Sequence, residues 1–302
     1  MNVITNEQVA ASLTVEDAIG TMRTAFSEYA RRGTMQERVR IDCDKTKLSM
    51  MGAILPGINA VGAKLYTTIN GKFTFVVVLF SADDGSLLAV MEGDAMTEFR
   101  TAAVTALAAD ALAIKDTKVL GIVGTGVQAR AHVPAMLSVR EFSEVIVAGI
   151  DRPEAFADEI SSRYSIKCTV GSTASVAAQA DVLITATRAA TPLFDGHLVK
   201  PNAFVAAIGS SKPDTREVGD DLIKRASRIV VEWRQQAMVE AGDLILAQPG
   251  LVDWNTVQEL SEVLTDCGQG NPSQHGIVLY KAIGVGIEDV ALAEFIYSRL
   301  KR

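Results

Sequence analysis

Hydrophobic and polar positions follow two different rhythms along the chain. Residues 15–32 carry apolar side chains at helical spacing, and the residues from there to Met91 change to short strands. The dipeptides Asn70-Gly71 and Asp84-Gly85 are typical hairpin turns. The predicted strands cover 38–43, 47–54, 61–68, 73–81 and 86–91. This part of the sequence therefore predicts a helix followed by an antiparallel sheet.

From Lys118 onward the pattern changes to alternating strands and helices, after an alanine-rich helix predicted over 94–114. Helices such as 153–164 and 173–180 separate the apolar runs, and an amphipathic helix is predicted over 285–300. Alternation of this kind is typical of a parallel, doubly wound sheet. The predicted strands are 119–123, 145–148, 167–169, 182–185, 203–208 and 228–231.

A glycine-rich turn follows the first of these strands. Gly124, Gly126 and Ala129 occupy the small positions of a G-x-G-x-x-G/A pattern, between a strand and a helix predicted over 127–139. The first glycine permits the tight turn, the second lets the backbone approach a pyrophosphate, and the third small residue allows close packing. The positive end of the helix dipole favours the diphosphate. The pattern predicts a dinucleotide-binding domain with a nicotinamide or flavin cofactor.

The predicted fold class is therefore α/β, with a Rossmann-type doubly wound parallel sheet plus a smaller α+β domain. We assign 115–284 to the dinucleotide-binding domain and 1–114 to the second domain, which the C-terminal helix 285–302 would complete. The choice of cofactor stays open. Asp151 follows the second parallel strand, where an acid usually binds the adenosine ribose, but the adjacent Arg152 is suited to the 2′-phosphate of NADPH.

Three cations stand where a buried sheet face or an apolar helix would not ordinarily place them. Lys64 is flanked by apolar and small residues, Arg40 ends an alternating segment, and Arg100 lies in the alanine-rich helix. A single such cation is usually solvated or paired at the surface. Three of them near a cofactor cleft indicate a carboxylate-binding cluster. Their spacing does not establish that they converge.

Composition excludes several classes of protein. The net charge of −7 over 302 residues gives no electrostatic footprint for nucleic acid or acidic membranes. The N-terminal residues lack a secretory signal pattern and no apolar run has membrane-spanning length, so a cytoplasmic location is expected. No metal site is predicted, and the three cysteines and three histidines are interpreted as structural. These are Cys43, Cys168, Cys267, His132, His197 and His275.

The assembled motifs resemble the ornithine cyclodeaminase/μ-crystallin family over nearly the whole chain. The matching segments are 84–109, the glycine loop, 208–217, 241–246 and 280–289, together with the strand around Lys64. The resemblance implies a homodimer whose first domain carries dimerisation and substrate binding. It also implies that Arg40, Lys64 and Arg100 hold the substrate carboxylate. The residues that it implies near NADH or NADPH are Thr101, Gly124, Gly126, Val127, Gln128 and Thr187.

One position departs from the cyclodeaminase pattern, which has an aspartate in the loop after the fifth strand. Ser211 stands there instead, and Asp214 follows three residues later, beyond a proline. A hydroxyl cannot replace a carboxylate as general base at neutral pH. The resulting pattern is similar to the ketimine-reductase branch of the family.

The sequence thus predicts reduction of a cyclic imino acid, Δ1-pyrroline-2-carboxylate to L-proline, with Δ1-piperideine-2-carboxylate to L-pipecolate as a second activity. Lys64, or an ordered water, is the candidate proton donor to the imine, and Ser211 is the second candidate catalytic position. Ornithine cyclodeaminase and alanine dehydrogenase remain the alternative enzymes. A non-catalytic protein that binds NADPH and a small ligand is the alternative from another class.

Overall fold

The computed structural model describes residues 3–265 and 276–301, so Cys267 and His275 lie outside the described residues. The strands are β1 (Val3–Ile4), β2 (Thr34–Met35), β3 (Val39–Cys43), β4 (Thr46–Leu55), β5 (Ala60–Ile69), β6 (Lys72–Ser81), β7 (Leu87–Glu92), β8 (Val119–Val123), β9 (Glu144–Ala148), β10 (Lys167–Val170), β11 (Val182–Thr185), β12 (Phe204–Ala207), β13 (Ala226–Val231), β14 (Gln258–Glu259) and β15 (Ile277–Lys281). The helices are α1 (Asn6–Ala11), α2 (Val15–Arg31), α3 (Asp94–Leu112), α4 (Val127–Val139), α5 (Pro153–Tyr164), α6 (Thr173–Gln179), α7 (Asp220–Arg225), α8 (Arg234–Glu240), α9 (Gly242–Ile245), α10 (Leu260–Thr265) and α11 (Gly286–Leu300).

The first of two compact units contains the residues up to Val104 and those from Gly284 on. Its seven-stranded sheet has the order β1-β7-β6-β5-β4-β2, with β3 paired to β4. All its pairs are antiparallel except β1 with β7. Both residues of the Asn70-Gly71 turn have positive φ, as a two-residue hairpin requires. Helices α2 and α11 pack against this sheet.

The second unit, Thr105–Ile283, contains an eight-stranded sheet in the order β10-β9-β8-β11-β12-β15-β13-β14. Each of its strand pairs is parallel. The central strands β11, β12 and β15 are mostly apolar and fully buried, which is typical of a parallel sheet covered on both faces. The direction of strand order reverses between β8 and β11, and this reversal places the ligand-binding edge at the ends of these two strands.

These two sheets confirm the predicted fold class. The division falls at Val104, inside α3, whereas the sequence analysis placed it after residue 114. Strand β15 was not predicted, although it lies within the parallel sheet between β12 and β13. Cys43 is exposed rather than packed, so its structural interpretation is wrong, and Cys168 is half-buried. Among the described residues, no helix is both long and apolar enough to cross a membrane.

Candidate functional site

The glycine turn in the second unit has the geometry that a diphosphate needs. Gly124 has a φ of 122°, and a Cβ there would stand 2.5 Å from the carbonyl oxygen of Ala186. Gly126 precedes α4 without a side-chain cap, and a Cβ at this position would meet open space. Val127 is 56% exposed at the first turn of the helix. Uncapped N–H groups beside open space fit a dinucleotide pyrophosphate.

The loop after β9 lies next to this turn. The Thr125 hydroxyl donates a hydrogen bond of 2.8 Å to the Asp151 carbonyl, which joins the glycine turn to this loop. The Asp151 and Arg152 side chains are both more than four-fifths exposed, with 3.6 Å between their charged atoms. Either side chain is therefore accessible to the adenosine ribose, and the geometry does not choose between them.

Thr187 lies after β11, on the other side of the strand-order reversal. Its N–H and its hydroxyl each donate a 2.7 Å hydrogen bond to Glu217 Oε1. The other carboxylate oxygen of Glu217 accepts from the Thr185 hydroxyl and from the Gly209 N–H. Glu217 thus joins the ends of β11 and β12. Glu217 ends the segment 208–217 that carries part of the family resemblance, but no role was predicted for it.

Lys64 lies on β5 in the first unit, with only 1% of its surface exposed. Its Nζ donates to Thr97 Oγ1 at 2.6 Å and to Asp289 Oδ1 at 3.0 Å, and it lies 4.4 Å from the centre of the Phe75 ring. Burial lowers the pKa of Lys64 to about 8, while Asp289 opposes the shift and Arg100 adds to it. An ammonium with this pKa can give up a proton near neutral pH.

Arg100 is paired with the same short acidic segment at the start of α11. Its Nη1 lies 2.7 Å from Glu288 Oε2, and its Nε lies 3.6 Å from Asp289 Oδ1. Both carboxylates are buried, in the first helical turn where the helix dipole favours negative charge. The structure therefore brings Lys64 and Arg100 together, through Asp289.

Arg38, for which no role was predicted from the sequence, lies close to Lys64 and Arg100 as well. Its Nη2 donates a 2.7 Å hydrogen bond to the Gly284 carbonyl, and its charge contributes to the lowered pKa of Lys64. A Cβ on Gly284 would stand 2.6 Å from Arg100 Nη1. The backbone of Gly284 therefore lies close to the guanidinium groups of both Arg38 and Arg100.

Arg40 lies two residues further on, half-buried in β3 and paired in register with Ser49. Arg38 lies just before this strand, so its contacts, and not strand periodicity, place it in the cluster. Arg40 was the arginine predicted from the sequence, and its role stays a prediction. We define Arg38, Lys64, Arg100, Glu288 and Asp289 as the cation cluster.

The charges of the cation cluster define what it can bind. Three cations and two carboxylates leave one net positive charge when every group is ionised. One carboxylate of a ligand would neutralise this charge, and guanidinium groups bind carboxylates through two parallel hydrogen bonds. The cluster is therefore suited to a small monocarboxylate.

The remaining positions considered in the sequence lie outside the cation cluster. The Thr101 hydroxyl donates to the Thr97 carbonyl one turn earlier in α3. Ser211 is half-buried in the loop after β12. His132 is buried, contacts Gln128 O at 2.6 Å and Thr105 Oγ1 at 3.1 Å, and has a pKa lowered to about 4 by burial, which fits its structural interpretation. His197 is exposed and contacts Asp195.

Three similar proteins cover most of the chain. The ketimine reductase mu-crystallin of Mus musculus is 33% identical, over 90% of this chain and 88% of its own length. The crystal structure of a probable ornithine cyclodeaminase from Bordetella pertussis Tohama I is 42% identical with a TM-score of 0.96, covering 99% of this chain and 97% of that chain. The structure of Thermococcus litoralis Δ1-pyrroline-2-carboxylate reductase in complex with NADH and L-proline is 26% identical with a TM-score of 0.94, covering 100% and 98%.

The family model that matches agrees with the resemblance stated from the motifs, which is thereby confirmed. Over residues 1–302, the chain belongs to the ornithine cyclodeaminase/mu-crystallin family.

Proposed function

We propose that this protein reduces cyclic ketimine carboxylates with NADH or NADPH: Δ1-pyrroline-2-carboxylate to L-proline, and Δ1-piperideine-2-carboxylate to L-pipecolate. The observation that carries the proposal is the buried contact of Lys64 with Asp289 and Thr97, beside Arg100. It combines a cation for one carboxylate with a group that can donate a proton. The names of the mouse and Thermococcus litoralis relatives support the same reaction.

In the proposed mechanism the bound dinucleotide supplies the hydride, and the residues of the chain position the imine and supply a proton. Lys64, Arg100 and Arg38 bind the substrate carboxylate, and Arg40 is a further candidate for this role. Lys64 donates a proton at the imine nitrogen, because its low pKa makes the ammonium a stronger acid than an exposed lysine. Asp289 holds the ammonium in place and stabilises its charged form, and the proton given to the imine is replaced from water.

The dinucleotide is held by the glycine turn and by the loops at the carboxyl edge of the parallel sheet. Gly124 and Gly126 allow the pyrophosphate to approach α4, while Val127 and Gln128 begin that helix. Thr187 is held by Glu217 after β11. We propose these residues of the second unit, with Asp151 or Arg152, as the cofactor site, and the role of Thr101 stays a prediction from the family resemblance.

Ornithine cyclodeaminase is the second candidate, and the name of the Bordetella pertussis structure favours it. Ser211 counts against it, because that position lacks the carboxylate that the amine chemistry needs. Alanine dehydrogenase and a non-catalytic NADPH-binding protein are further alternatives. A cofactor-oxidation screen with five- and six-membered cyclic imines, pyruvate plus ammonia, and ornithine separates them. Oxidation of NADH with pyruvate plus ammonia but with neither imine would overturn the proposal.

Arg100 provides a test of carboxylate binding. We expect Arg100→Ala to lower kcat/KM for the imine at least about tenfold, through loss of a charge-assisted hydrogen bond, with little change in NADH affinity. Arg100→Lys should recover part of the loss. The control is Arg32→Ala, which removes an exposed arginine paired with Glu28 in the same unit. Equal loss of imine and NADH binding in Arg100→Ala would point to damage of the fold instead.

The loop after β9 provides a test of cofactor preference. If Asp151 binds the ribose, Asp151→Ala should weaken NADH more than NADPH; if Arg152 binds a 2′-phosphate, Arg152→Ala should weaken NADPH selectively. Titration of each cofactor by calorimetry measures both dissociation constants. Asp158→Ala, at an exposed acid of α5, is the control. An unchanged ratio of the NADH and NADPH dissociation constants in both variants would show that this loop does not bind the ribose or its 2′-phosphate.

We also propose a homodimer formed through the first unit. Helices α2 and α11 pack on one face of its sheet, whereas Ile54, Val61 and Phe80 are adjacent in register on the other face. Ile54 is 44% and Phe80 is 36% exposed, although both are large apolar residues of central strands. A contiguous apolar face of this kind marks an interaction surface. Sedimentation velocity should give a dimer for the wild type and a shift toward monomer for Ile54→Glu; a wild-type monomer would contradict it.

A further inference from the structure

Lys281 is the last residue of β15, and none of its side chain is exposed. Its Nζ forms an ion pair of 2.8 Å with Asp243 Oδ2 and donates to the carbonyl oxygens of Ala207 and Ser210. Burial of an ammonium group is costly unless hydrogen bonds and an opposite charge compensate for it. All of these contacts belong to segments at the carboxyl edge of the parallel sheet.

Asp243 extends this network to Glu217. Its Oδ1 accepts hydrogen bonds from the backbone N–H groups of Glu217 at 2.6 Å and Val218 at 3.0 Å. Glu217 in turn accepts four hydrogen bonds, from Thr185, Gly209 and the N–H and hydroxyl of Thr187. Lys281, Asp243 and Glu217 therefore connect the carboxyl ends of three neighbouring strands, β11, β12 and β15.

The position of this network in the sheet relates it to one half of the cofactor. The glycine turn follows β8, and the loop with Asp151 and Arg152, which we propose for the adenosine ribose, follows β9, on one side of the strand-order reversal. The loops after β11 and β12 lie on the opposite side, where the nicotinamide half of a dinucleotide binds. These are the loops that Lys281 and Glu217 hold.

The loop after β12 is closely packed at Gly209, its second residue. A Cβ on Gly209 would stand 2.2 Å from the Thr187 carbonyl oxygen and 2.4 Å from Glu217 Oε1. The next residue, Ser210, is buried, and its carbonyl accepts from Lys281. The peptide that leads into Ser211 is thus fixed from two sides, by Glu217 and by Lys281.

We propose that Lys281 is a positioning residue for the nicotinamide half of the cofactor site. It acts through the Ser210 carbonyl and through Asp243 and Glu217, which together set the places of Thr187 and Ser211. Loss of the ammonium group releases the loop after β12 and leaves the glycine turn intact. The effect concerns cofactor binding, so it does not depend on which imine is the substrate.

The test compares NADH with ADP-ribose, which shares the adenosine and diphosphate but lacks the nicotinamide ring. We expect Lys281→Met to weaken NADH at least about tenfold while the ADP-ribose dissociation constant changes less than about threefold, measured by calorimetry on the whole chain. Equal weakening of both ligands, or no change in either, would overturn the proposal. Activity of the loaded enzyme is not needed for this comparison.

Arg140→Met is the matched control. Arg140 is also a buried cation of the second unit, which donates to Asp110 Oδ1 at 2.6 Å and to backbone carbonyls, but it lies at the C-terminal end of α4, away from the carboxyl edge. The Arg140→Met variant should have a lower thermal unfolding temperature than the wild type but the same ratio of NADH to ADP-ribose affinity.

A second variant covers the case in which Lys281→Met does not fold. Asp243→Asn keeps the Oδ1 acceptor for Glu217 and Val218, and it replaces the anionic partner of Lys281 by an amide. It should weaken NADH selectively in the same direction. A folded Asp243→Asn protein with an unchanged NADH to ADP-ribose ratio would contradict the role of the network.

Discussion

Replacement of Lys64 by methionine is expected to lower kcat/KM for imine reduction by a factor of about 10²–10⁴, the range that general acid catalysis typically provides. Methionine retains most of the buried volume but has neither charge nor proton. The variant should still bind NADH with nearly the wild-type affinity, because the glycine turn belongs to the other unit. Steady-state kinetics with Δ1-pyrroline-2-carboxylate and calorimetry with NADH measure the two quantities.

The pH dependence of the wild type should identify the same group. The Lys64 pKa of about 8 lies below the ordinary value for lysine because the side chain is buried. The protonated form is both the acid and the carboxylate-binding cation, so kcat/KM should be retained below pH 8 and fall as the pH rises through it. Since kcat/KM reports the free enzyme, this fall should be absent from the residual activity of Lys64→Met.

Controls separate this effect from damage to the cluster. Asp289 Oδ1 also lies 3.6 Å from Arg100 Nε, so this carboxylate still has a cation beside it when Lys64 is replaced. The double variant Lys64→Met with Asp289→Asn removes both charges of the Lys64–Asp289 pair. Lys47→Met, at a largely exposed lysine of the adjacent strand, should leave kcat/KM unchanged. Wild-type kinetics and an unchanged pH profile in a folded Lys64→Met protein would rule out Lys64 as the acid.

Wild-type protein is expected to reduce the cyclic imine at a rate at least about 10² times its rate of ammonia release from ornithine. Oxidation of an amine begins with loss of a proton, and ring closure and ammonia release require further proton transfers. Ser211 offers no carboxylate for these steps, and Asp214 is exposed on the far side of Pro213. Reduction of a preformed imine needs only a hydride and one proton.

Ser211→Asp should lower the reductase rate, because the added carboxylate repels the carboxylate of the substrate. The same variant should permit a trace of ornithine turnover. Ser211→Asn is the matched control, since asparagine has nearly the same size as aspartate and no charge. Comparison of the two variants assigns the effect to charge. Comparable rates with ornithine and with the imine in the wild type would refute the assignment to the reductase branch.

Local signals account for the parts of the fold that were predicted. The Asn70-Gly71 hairpin depends on two residues with positive φ, and the glycine turn at Gly124 depends on one. Such requirements act on adjacent residues and can be recognised without the rest of the chain. Strand β15 has no such turn signal, and its place in the sheet depends on pairing with β12 and β13, which are distant in the sequence.

The sequence by itself determined the dinucleotide-binding half, the family, and the presence of unusual cations at Lys64 and Arg100. Only the tertiary structure decided their partners, because Asp289 is 225 residues from Lys64 and Glu288 is 188 residues from Arg100. Arg40 was the arginine predicted from the sequence, whereas Arg38 was recognised only by its contact with Gly284, 246 residues away in the chain. Charge pairing depends on distance in space, and a sequence pattern carries no such distance between residues of different elements.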